Sequence, residues 1–60
     1  MLTIETLRKD DAGNYKGKGH FKNNSCIFVN NKLLIGTFPY CEEITIPYND
    51  FMQAVNNYTI

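Results

Sequence analysis

Tyr15 to Phe38 reads YKGKGHFKNNSCIFVNNKLLIGTF, apolar alternation interrupted by two Asn pairs. Asn tolerates positive φ, so each pair suits a two-residue hairpin loop. With Asn30-Asn31 as one loop, Val29 faces Lys32, Phe28 faces Leu33, Ile27 faces Leu34 and Cys26 faces Ile35. Directly opposed residues share a face and successive residues alternate, which gathers Cys26, Phe28, Leu33 and Ile35 on one side. A second loop at Asn23-Asn24 pairs Phe21 with Cys26, Gly19 with Phe28 and Lys18 with Val29. Phe21 and Tyr15 then join the first side, and Gly17 and Gly19 leave gaps there for a ring such as that of Phe28. The other side carries Lys16, Lys18, His20, Ile27, Val29, Lys32, Leu34 and Phe38, a basic rim around an aliphatic stripe. A one-residue slip in register would exchange the two sets.

Outward from this segment, a strand is expected from Leu2 to about Arg8, followed by a turn through Asp10-Asp11-Ala12-Gly13. Three further strands are expected at Tyr15 to Phe21, near Ser25 to Val29, and from Lys32 to Phe38, where Pro39 ends the ladder. Ile44-Thr45-Ile46 predicts a short strand beginning at Glu42 or Glu43. Pro47 can open a helix, because its missing N–H would be unpaired at a first turn. Tyr48, Phe51, Met52, Val55 and Tyr58 recur at helical spacing and predict an apolar stripe on a helix from Tyr48 to Tyr58. The fold class is therefore α+β. It is a small antiparallel β-meander of four to five strands with one C-terminal α-helix packed on one face, a single compact domain over residues 1–60. One helix covers one face, so the other must meet solvent, a second copy or a partner.

At 60 residues the core is minimal and supplies on the order of 3–5 kcal/mol. Disulfides, metal and self-association are the devices that reinforce such chains. Cys26 and Cys41 form no C-x-x-C pair, and His20 alone completes no usual zinc set with them, so neither a metal nor another cofactor is expected. The chain lacks a long apolar run and a signal-peptide pattern, which predicts a cytoplasmic protein with reduced thiols and no membrane association. By elimination, and because the sheet is two-sided, a homodimer is expected. Six basic and six acidic residues leave no net formal charge, but Lys16, Lys18, Lys22 and Lys32 lie mid-chain while Glu42, Glu43 and Asp50 lie later. A local basic patch can therefore exist without a whole-molecule field.

Chemistry leaves few candidates. Cys26 and His20 fall on opposite faces, Asp10-Asp11 sit in a turn, and Glu42-Glu43 diverge on a strand. Gly17-Lys18-Gly19-His20 lacks the spacing and following helix of a phosphate loop. An enzyme is not expected. In size and Asn-rich style the chain resembles the small accessory proteins of bacteriophages and mobile elements, many of which inhibit host or defence proteins. That resemblance implies a homodimeric anti-defence inhibitor that occludes a larger partner protein, in the host cytoplasm if phage-encoded. In element order the chain is also similar to the sheet-plus-helix dimers of the single-strand-binding transcriptional coactivator family. This second resemblance implies the alternative, binding of single-stranded nucleic acid or a nucleotide through Lys16, Lys18, His20, Lys22 and Lys32 beside Phe38 and Tyr40.

Overall fold

The computed structural model describes residues 1–37 and 39–60. Five strands, β1 (Leu2–Lys9), β2 (Tyr15–Phe21), β3 (Asn24–Val29), β4 (Lys32–Ile35) and β5 (Glu42–Thr45), precede one helix, α1 (Tyr48–Thr59). The strands form a single antiparallel sheet in chain order, so each connection joins neighbours and β1 and β5 are its edges.

Loop chemistry sets this order. Asp10 closes the first hairpin as an Asx turn, its Oδ1 accepting the N–H groups of Ala12 (3.0 Å) and Asn14 (2.8 Å). The second turn falls on Lys22-Asn23, both with positive φ as a type I′ turn requires, and not on Asn23-Asn24. Lys16 to Phe21 accordingly pair with Val29 to Asn24, and Gly17 rather than Gly19 lies opposite Phe28. Moving a two-residue turn one place along the chain shifts the ladder by two residues, so every side chain keeps its face. Tertiary contacts favour this register over the cheaper turn residue. Asn30 donates its N–H to the Tyr15 carbonyl at 2.7 Å, and its Oδ1 accepts the Tyr15 N–H at 2.9 Å. Asn30 Nδ2 also donates to Asn14 Oδ1 at 3.0 Å, which ties the first and third turns together.

The third turn and its pairing, Val29 with Lys32 through Cys26 with Ile35, match the expected register. Strand β4 stops at Ile35, short of the expected Phe38, because Gly36 takes φ +110° and turns the chain away. Phe38 lies outside the described residues. Strand β1 contains a bulge between Ile4 and Thr6. The extra residue, Glu5, lets Leu2, Ile4 and Leu7 all face the core although strict alternation would turn Leu7 outward.

Helix α1 starts after Pro47, which holds the N-cap position and accepts the Phe51 N–H at 3.1 Å. Just before it, Asn31 and Ile46 exchange two hydrogen bonds, Ile46 N–H to Asn31 O (3.0 Å) and Asn31 Nδ2 to Ile46 O (2.9 Å). These bonds fix where the chain leaves the sheet. The helix then crosses the face bearing Leu2, Ile4, Cys26, Phe28 and Leu33 and contributes Phe51, Ala54 and Val55 to that core. Ala54 replaces Tyr48 and Tyr58 in the buried stripe, and both tyrosines remain about half exposed. Phe51 and Leu33 are fully enclosed. The Phe51 ring meets Phe28 edge-on at 5.7 Å and Tyr15 at 5.9 Å. Opposite Phe28, a Cβ at Gly17 would collide with the Thr6 carbonyl and approach Phe28 Cζ to 2.8 Å, so glycine is needed there for close packing.

Phe51→Ala should remove about 3–5 kcal/mol, comparable with the whole stability of a chain this size. Circular dichroism should then show a protein largely unfolded at room temperature. A cooperative melt within a few degrees of wild type would mean that the ring is not central to the core.

Candidate functional site

The face away from α1 is built by alternation alone. One row across the strands reads Arg8, Lys16, Val29, Lys32, Thr45, and the next reads Thr6, Lys18, Ile27, Leu34, Glu43. Beyond them Thr3, His20 and Ser25 form a third row. All these residues are exposed. At the centre, Ile27, Val29 and Leu34 retain 50%, 47% and 37% of their accessible surface. Lys16, Lys18, His20, Ile27, Val29, Lys32 and Leu34 thus lie together on one face, and Phe38, also expected there, lies outside the described residues.

Arg8 belongs to this face and is absent from the expected set. Uninterrupted alternation from Leu2 would bury its side, whereas the Glu5 bulge reverses the parity and turns Arg8 outward beside Lys16. The signal was in the chain, since apolar residues at positions 2, 4 and 7 break period two. Glu43 is the second addition, placed beside Leu34, while its neighbour Glu42 points to the other face beside Ile35.

The cations differ in their company. Lys16 Nζ lies 3.3 Å from Asp10 Oδ2, and His20 Nδ1 lies 4.0 Å from Glu5 Oε2, a contact that is ionic only with a protonated imidazole. Among the described residues, no carboxylate reaches within ion-pair distance of Arg8, Lys18 or Lys32. Hydrogen bonding from Asn14 and the neighbouring Lys16 hold the Asp10 carboxyl below its ordinary value of 3.8.

His20 and Cys41 line one open groove of about 460 Å³ with Ile27 and Leu34, a proximity the sequence did not indicate. No hydrogen bond joins them among the described residues. Cys26 turns into the core, and burial pushes its thiol up from the usual value, with the Gly19 backbone opposing in part. No cluster of three metal-ligating side chains occurs among the described residues. Among the described residues no helix is long and apolar enough to cross a membrane. Models of known protein families, curated proteins and solved structures yield no match to the chain.

Two measurements check these assignments. Native protein treated with iodoacetamide should modify Cys41 readily and Cys26 only on unfolding, so mass spectrometry should find one adduct before denaturant and two after it. Equal labelling in the native state would contradict the placement of Cys26. For Asp10, a folded-state pKa below the unfolded one means that its stabilising effect is present above about pH 4 and lost as pH falls through the depressed value. Asp10→Asn should therefore lower the urea midpoint near pH 6 and converge with wild type near pH 2. A constant difference between the two proteins across that range would show that the carboxylate charge contributes nothing.

Proposed function

We propose that this protein is a non-enzymatic binding module whose open sheet face docks on a larger protein and occludes the surface it covers. The observation that carries the reading is the contiguous exposure of Ile27, Val29 and Leu34 on a face without a covering layer. Aliphatic side chains on adjacent strands form an apolar centre, and Arg8, Lys16, Lys18 and Lys32 surround it with cations. Protein interfaces share this organisation of apolar centre and polar rim. Single-stranded nucleic acid is the weaker reading. Cations are present, but base stacking needs aromatic platforms, and the described rows of the open face hold none. Of the two aromatics expected to stack, Tyr40 is exposed outside the strands and Phe38 lies outside the described residues.

Val29→Asp tests the docking reading, because the position is exposed in the free protein and would be enclosed in a complex. The variant should melt within about 1 kcal/mol of wild type. A photocrosslinking residue at position 27 should trap one protein in cells of the source organism. The complex rebuilt from the two purified chains should weaken at least tenfold with Val29→Asp. A rebuilt complex indifferent to the substitution would move the binding site elsewhere.

A further inference from the structure

Charge on the open face is unequal although the chain as a whole is neutral. Arg8, Lys16, Lys18 and Lys32 stand against Glu5, Glu43 and the Asp10 that pairs with Lys16, while Asp11, Glu42 and Asp50 lie in a turn, at the other side of the β5 edge and on the helix. We infer that the occupant of this face is an acidic amphipathic helix of a partner protein, apolar along its centre, with carboxylates along the flank over β1 and β2 and one opposite Lys32. The inference rests on the docking reading above and specifies its chemistry.

Spacing supports a helix. Lys16 and Lys18 on β2 and Lys32 on β4 border the aliphatic stripe on either side, with β3 between them. Two strand intervals span about 10 Å, close to the ~10–12 Å diameter of a helix with its side chains. A helix laid along β3 would rest on Ile27, Val29 and Leu34, with one flank over Lys16 and Lys18 and the other over Lys32 at one end and Glu43 at the other. Helix on sheet is also the packing that the other face already uses.

A second copy fits less well. In a face-to-face pair centred on β3, a two-fold axis parallel to the strands brings Lys16 of each copy over Lys32 of the other. An axis across the strands superposes the basic β1–β2 halves instead. Both arrangements oppose like charges, which a partner bearing carboxylates would neutralise. Lys16 is already paired with Asp10, so Arg8, Lys18 and Lys32 are the cations with charge to offer.

The test titrates isotope-labelled protein with a helical peptide carrying Leu at i, i+3, i+4 and i+7 and Glu on both flanks. The same peptide with Lys for Glu, and an oligothymidylate, serve as comparisons. The acidic peptide should bind and shift the amide signals of β3 and β4, and its affinity should fall severalfold as salt rises from about 50 to 300 mM. Lys18→Glu with Lys32→Glu, both at exposed positions, should lose at least tenfold for the acidic peptide and gain affinity for the basic one. Equal binding of the two peptides, binding of neither, or preference for the oligonucleotide would overturn the inference. So would a concentration-dependent dimer that Val29→Asp dissociates. If the crosslinked partner proves basic or uncharged where it meets residue 27, the acidic-helix inference fails and the docking reading survives. A rebuilt complex insensitive to Val29→Asp removes the docking reading itself.

Discussion

The enclosure of Phe51 between Phe28 and Tyr15 joins α1 to the sheet, and the remaining geometry is arranged to permit it. Phe28 can lie flat enough to meet the ring because Gly17 stands opposite, where a Cβ would occupy the same space. Tyr15 is held at the right height by Asn30, which bonds both its N–H and its carbonyl. The helix begins in the right place because Asn31 clamps Ile46 before Pro47 ends the ladder. Two adjacent asparagines in one turn therefore position both partners of the aromatic cluster. In a chain with so little apolar area to bury, specific turn contacts carry a large share of the definition of the native state.

The same economy explains why one face stays open. A 12-residue helix is about 18 Å long and covers one side of a five-stranded sheet. Every described residue on the opposite side is exposed, including three aliphatic side chains that contribute nothing to the core. Scattered exposed apolar residues are ordinary on a protein surface. Here they are contiguous across β3 and β4, with Arg8, Lys16, Lys18 and Lys32 among their neighbours. Lysines on the strand surface discourage sheet-to-sheet aggregation.

Much of this was legible from residue types. Asn-rich loops and alternating apolar residues predict the meander, and the spacing of Phe51 and Val55 predicts the helix that closes it. The face assignment survived an error in the β2–β3 turn because that error displaced the ladder by two residues, an even number. Placement of Lys22 at positive φ was not legible, since local preference favours Asn there and the preference was overruled by contacts of Tyr15 and Phe28 made elsewhere in the chain. Arg8 was missed for a different reason. A bulge is a parity change, and only the irregular interval between Ile4 and Leu7 announced it. Ala54 was missed because a small residue at helical spacing carries too weak a hydrophobic signal to be separated from a solvent-facing alanine.

Parity also links the fold to the functional reading. Glu5 is the single inserted residue of β1, and its insertion does two things at once: it returns Leu7 to the core and turns Arg8 out beside Lys16. Without the bulge Arg8 would take the place opposite Tyr15 that Lys9 now holds, Thr6 would stand on the core side in place of Leu7, and Leu7 would face outward. Core formation in β1 therefore requires the irregularity, and the outward placement of Arg8 follows from it. The cation that β1 adds to the open face is in this sense a by-product of packing Leu2, Ile4 and Leu7 against one helix.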